Sequence, residues 1–271
     1  MDLDKNMILL QKCSHNNVDF EVLAYDKLRG AQSVNMAQSM FFAEQTGLKV
    51  KQVKITLNNS SIKTEAGALY YSKGKIESKT KSGGATGLFK KAVSGALTNE
   101  SAIKPTYTGS GEIYLEPSFK HYLVLELDND SIIVDKGLFF CCSAEIDIKV
   151  ATQKNVSSAL LGGEGVFQIQ LIGTGVVILE LDVPESEIVS YELTNGEELK
   201  VDGNFAIART SGVNFSVTKS DKSLFGSAVN GEGFLNTFTG EGKVWIAPTA
   251  PMYKRLYTGI SFGNSSINNQ E

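Results

Sequence analysis

Hydrophobic and polar residues alternate in short runs along most of this chain. Val53, Ile55 and Leu57 alternate with Lys54 and Thr56, and Leu123, Leu125 and Leu127 occupy every second position of HYLVLELD. Ile146/Ile148/Val150, Phe167/Ile169/Leu171 and Val213/Phe215/Val217 repeat the pattern. A period of two sends one set of side chains inward and the other to water. Each run therefore predicts a half-buried antiparallel strand, and the intervening glycines and asparagines predict tight turns. One stretch breaks the pattern. VNMAQSMFFAEQT predicts a helix over 34–46, with Ser33 placed to cap its first turn and Gly47 to end it in the left-handed conformation. Residues 1–17 and the tail 263–271 read as mobile ends around one all-β domain over 18–262.

The strands recur as a larger unit. TYTGSGEIYLEP at 106–117 returns as TFTGEGKVWIAP at 237–248, with a weaker copy, QLIGTGVVILEL, at 170–181. The leading glycines, Gly109, Gly173 and Gly240, lie 64 and 67 residues apart, each followed at the second position by Gly111, Gly175 or Gly242. Eight or nine residues earlier stand Glu100, Glu164 and Glu232. Upstream, EAGALYY, DKGLFFC and DGNFAIA place Gly67, Gly137 and Gly203 at similar intervals. These spacings predict three like modules, at about 50–117, 118–181 and 182–250, in a pseudo-threefold β-sandwich or barrel-like body. The Gly-x-Gly pairs sit between strands with no helix following, so they predict hairpins rather than a dinucleotide site.

GGEGVFQIQLIGTGVVILEL, ELKVDGNFAIA and GEGFLNTFTGEGKVWIAP together resemble the altered-inheritance-of-mitochondria protein 24 family, formerly a domain of unknown function. The resemblance runs from about Lys51 to Pro248. It implies a β-sandwich like that of the Trp RNA-binding attenuation protein, built from internal repeats. Family members are linked to mitochondrial inner-membrane organisation in fungi, while bacterial members have no assigned activity. No catalytic motif defines the family. MDLDKNMILL reads as neither a secretory signal nor an Arg-rich transit peptide, so the prokaryotic form fits better, with an added helix near 33–47.

Composition narrows the chemistry. The 271 residues are 42% hydrophobic with a net charge of −4, which excludes global disorder. No apolar stretch is long enough to predict a spanning helix. Two histidines disfavour His-based metal sites. Cys13, Cys141 and Cys142 lack metal-ligand spacing and read as thiols of a reducing compartment, which points to the cytoplasm. His121, with Ser118 and Asp128 nearby, lacks the sharp turn and oxyanion hole of a triad and reads as a strand-end histidine. Trp245, between Val244 and Ile246, reads as packing.

Charge is unevenly spread: residues 49–91 hold ten lysines against Glu65 and Glu77. Lys73, Lys75, Lys79 and Lys81 share one face of a strand with Glu77. That face either attracts an acidic membrane surface or nucleic acid, or guards a sheet edge against aggregation. Leu88 and Phe89 beside Lys90 and Lys91 either dock on a membrane or partner, or fold back on the core. Glu100, Glu164 and Glu232 either converge on a hard cation or accept N–H bonds in their own turns. The function expected is a non-enzymatic scaffold or interaction protein, without cofactor or metal, self-associating or bound to a protein partner. The alternatives are an anion-binding module on the lysine strand and an enzyme with a site between modules.

Overall fold

The alternating runs become strands, and the glycine pairs decide how the longest of them bend. The computed structural model describes residues 6–79, 104–135, 137–151, 168–219 and 234–258. The chain divides into two compact units, Met1–Leu181 and Asp182–Glu271. The first holds β1 (Met7–His15), β2 (Val18–Tyr25), α1 (Val34–Gln45), β3 (Lys51–Thr64), β4 (Leu69–Lys79), β5 (Thr106–Leu115), β6 (His121–Val134), β7 (Phe139–Ser143), β8 (Asp147–Ala151) and β9 (Gln168–Leu181). Their pairings are antiparallel. β3 runs between β2 and β5 over its first half, then exchanges β2 for β7. β9 pairs with β6 along its length and takes β8, then β7, on its other margin.

β3 and β6 slip register at corresponding places. The slip between Leu57 and Ser60 faces Gly111 and Gly109, and the slip between Leu127 and Asp130 faces Gly175 and Gly173. Asn59 and Asn129 adopt left-handed backbone there, with φ of 51° and 50°. Each bulge frees a backbone donor. The Asn59 N–H donates to Ser110 Oγ and the Asn129 N–H to Thr174 Oγ1, both at 2.9 Å. The middle residue of the Gly-x-Gly pair thus satisfies its opposing bulge. Ser110→Ala and Thr174→Val are each expected to lower stability by about 0.5–1 kcal/mol, read as a lower denaturant midpoint at unchanged slope.

The second unit holds β10 (Val189–Leu193), β11 (Glu198–Val201), β12 (Ala206–Thr210), β13 (Val213–Lys219), β14 (Phe234–Gly240), β15 (Gly242–Ile246) and α2 (Ala250–Thr258). β15 lies between β10 and β12, and β14 between β11 and β13. Leu193, Val244 and Ile246 from one group meet Val201, Val213 and Phe238 from the other in a shared core. Gly240 and Gly242 also have positive φ, 107° and 134°. The residue between them is Glu241, however, and β10 stops at Leu193 opposite Gly242. A further bond recurs at three places: Glu116 N–H donates to Ala68 O, Glu180 N–H to Leu138 O and Ala247 N–H to Phe205 O, at 2.7–2.8 Å.

Several expectations need correction. Residues 7–15, expected within a mobile N-terminus, form β1. The Asn16–Asn17 turn, with φ of 46° and 63°, folds β1 back onto β2, and Val18, Phe20 and Val22 enter the main core with Val53 and Ile55. The barrel-like alternative fails because the sheets remain open, with β1 and β4 at free margins among the described residues. A second helix, α2, joins the expected one. Pro251 near its start needs no N–H partner in a first helical turn. Val150, the last residue of an alternating run, is 46% exposed, and Val189 and Tyr191, which alternate with polar residues in β10, are 38% and 44% exposed. The expected helix forms as read: Ser33 Oγ accepts from Met36 N–H, and Gly47 follows with φ 70°.

Candidate interaction surfaces

β4 carries the lysine strand. It pairs with β5 alone among the described residues, and Lys73, Lys75, Glu77 and Lys79 are exposed on its outer face. Ile76, on the inner face, packs against the main core. Lys81 lies outside the described residues, as do Leu88, Phe89, Lys90, Lys91, Glu100, Glu164 and Glu232. The six glycines of the three Gly-x-Gly pairs all have positive φ. At β4 the pair has a second duty, because Gly109 and Gly111 lie against the Lys75 and Lys73 carbonyls, where no side chain fits.

The other candidates for chemistry are spread out. Ser118 Oγ donates to Glu180 Oε1 at 2.9 Å and shares a 3.3 Å bond with the Tyr122 hydroxyl. His121 opens β6 while Asp128 lies beyond its first half, so the three form no triad. Trp245 is half-buried in β15. No group of three or more His, Cys, Asp or Glu side chains suited to a metal occurs among the described residues. Cys13, Cys141 and Cys142 are free thiols. Burial, with a hydrogen bond to Glu126, pushes the Cys13 thiol up to about 11. Burial pushes Cys142 up to about 12 and Cys141 upward as well. A raised thiol pKa means less thiolate at neutral pH. Iodoacetamide near pH 8 is therefore expected to label the folded chain roughly a hundredfold more slowly than the unfolded chain, and equal rates would contradict this.

The N-terminal elements expose apolar surface. In β1, Ile8, Leu9 and Leu10 are 40%, 51% and 46% exposed. In α1, no residue is buried, and Val34, Met36, Phe41 and Phe42 stand in solvent. The Phe41 and Phe42 rings meet edge to face at 5.7 Å. Beneath α1 lies a cavity of about 510 Å³ lined by Tyr25, Leu28, Met40, Ala43, Val50 and Phe119 among others. Lys27–Glu44 at 2.5 Å and Lys49–Asp26 at 3.1 Å form ion pairs along its wall. The Tyr25 hydroxyl donates to Gln52 Oε1 at 3.3 Å. These polar groups already have partners, leaving an apolar interior. Sequence reading missed this exposure, although one signal was present: the apolar residues of α1 point around the helix rather than along one stripe.

A family model described as mitochondrial biogenesis AIM24 matches residues 43–249. β1, β2 and most of α1 precede that span. A crystal structure of a Streptococcus pyogenes protein is similar with a TM-score of 0.55 at 22% identity, covering 76% of this chain and 94% of that chain. At this identity the likeness is one of fold. The chain matches no curated protein.

Proposed function

We propose that this chain, which belongs to the mitochondrial biogenesis AIM24 family, is a non-catalytic, self-associating interaction scaffold. The observation that carries the reading is the run of exposed apolar residues on β1 and α1, beside a main core closed around Phe20, Ile55 and Ile113. Apolar surface left in water favours association. Many surface charges are spent on one another, as in Lys12–Asp19, Lys54–Glu112 and Lys27–Glu44, rather than gathered in a cleft. Two finer features belong to the reading. The first is a three-module, Trp RNA-binding attenuation protein-like body in a prokaryotic-type member, supported by the repeated glycine pairs and the recurring backbone bond. The second is a cytoplasmic location, supported by reduced cysteines. No helix among the described residues is long and apolar enough to cross a membrane.

Sedimentation velocity from dilute to concentrated protein tests the proposal. A sedimentation coefficient rising with concentration is expected, and a strict monomer throughout, with no co-purifying partner, would overturn it. The exposed lysines of β4 support a second reading, an anion-binding edge. Replacing Lys73, Lys75 and Lys79 by Glu is then expected to abolish retention on an immobilised polyanion and flatten its salt dependence. Weak retention of both proteins would assign the lysines to edge protection.

A further inference from the structure

We propose that β1 is the self-association strand, pairing antiparallel with β1 of a second copy of this chain. The β3–β2–β1 ladder of each copy then continues across a two-fold axis. The proposal rests on the self-association reading above and names its surface.

The margins of the sheets differ in how they are guarded. β4 is long but carries Lys73, Lys75 and Lys79 on its outer face. β8, β10 and β11 are only four or five residues long and carry charges. β13 alternates its apolar residues with Asn214, Ser216 and Thr218. Charge, brevity and polar alternation are the usual defences of an edge strand. β1 lacks them. It spans nine residues, pairs with β2 alone among the described residues, and exposes Ile8, Leu9 and Leu10 in succession. Its ladder slips between Leu9 and Gln11, and the extra residue, Leu10, interrupts the alternation. Apolar side chains therefore stand in solvent at consecutive positions of a margin whose outer backbone groups suit another strand.

Charge identifies the occupant. The charged residue of β1 is Lys12, which lies 2.9 Å from Asp19 and 3.9 Å from Glu21 on the neighbouring strand of its own chain. Two β1 strands can meet without like-charge repulsion. Two β4 strands would bring six lysines together with only two Glu77 carboxylates between them, and β1 on β4 would place those lysines beside the apolar trio with no acidic partner from β1. An antiparallel β1–β1 ladder uses the same strand twice and closes as a dimer. It also sets the apolar trio of each copy beside that of the other as cross-strand neighbours.

The test compares two surface variants by light scattering, with thermal unfolding as the folding control. Ile8→Lys/Leu10→Lys guards the edge with lysines, and Phe41→Glu/Phe42→Glu charges α1. The proposal expects the β1 variant to raise the dissociation constant at least about tenfold, with the α1 variant assembling as the unaltered protein does. Should the lysine variant fail to fold, Leu9→Thr/Leu10→Thr keeps strand-forming residues and is read the same way. Loss of assembly only in the α1 variant would overturn edge pairing and leave self-association standing. An unaltered chain that stays monomeric would overturn both.

Discussion

Gly109→Ala is expected to unfold the first unit or to lower its stability by about 4 kcal/mol or more. Gly109 has φ of 143°, and a methyl group there would lie 1.9 Å from the Lys75 carbonyl oxygen. The obstacle is backbone in a paired strand, so no side chain can swing aside. Gly111 repeats the situation, with φ of 149° and the Lys73 carbonyl oxygen at 2.1 Å. Gly67 separates the two causes. Its φ of 82° is positive, but nothing lies within 4 Å of a methyl group placed there. Gly67→Ala is therefore expected to cost only about 1–2 kcal/mol, the strain of left-handed backbone alone. Denaturant unfolding of the three variants tests this order. Equal losses at Gly67 and Gly109 would mean that conformation, not close approach, governs the Gly-x-Gly pair.

Phe20→Ala should cost about 3–5 kcal/mol, as expected for an aromatic side chain removed from a closed core. Phe20 is 1% exposed and pairs with Cys13 on β1 and Ile55 on β3. The loss would show that the β1–β2 hairpin is part of the first unit's core, although it precedes the span matched by the family model. A loss below about 1 kcal/mol, the size of an ordinary surface change, would make the hairpin a loosely attached arm.

Much of the fold is legible because burial imposes a period. Val53, Ile55 and Leu57 alternate with half-exposed Lys54 and Thr56, and these residues lie in β3 as the pattern predicts. α1 is legible from its ends, through the Ser33 hydroxyl and Gly47. β1 is not, because the bulge at Leu10 breaks the alternation that would reveal a strand. α2 is hidden by Pro251, which reads as a helix breaker until its place in the first turn is seen. Period also reveals that two faces differ without revealing what covers either. Val189 and Tyr191 alternate correctly and still face water, because β10 pairs only with β15 along its described ladder.

The surfaces divide in the same way. The common face of Lys73, Lys75 and Lys79 follows from two-residue spacing alone. The open margin of β1 depends on which strands pair, which no local pattern specifies. The exposed faces of α1 depend on how little of the helix the body covers.

Amide hydrogen exchange across residues 7–15, measured in dilute and concentrated protein, tests the central claim most directly. Exchange in β1 is expected to slow as concentration rises, because outward-facing N–H groups become ladder donors, while β4 exchanges at an unchanged rate. Identical exchange in β1 at both concentrations, in a sample that light scattering shows to be associated, would contradict the claim and move the interface elsewhere.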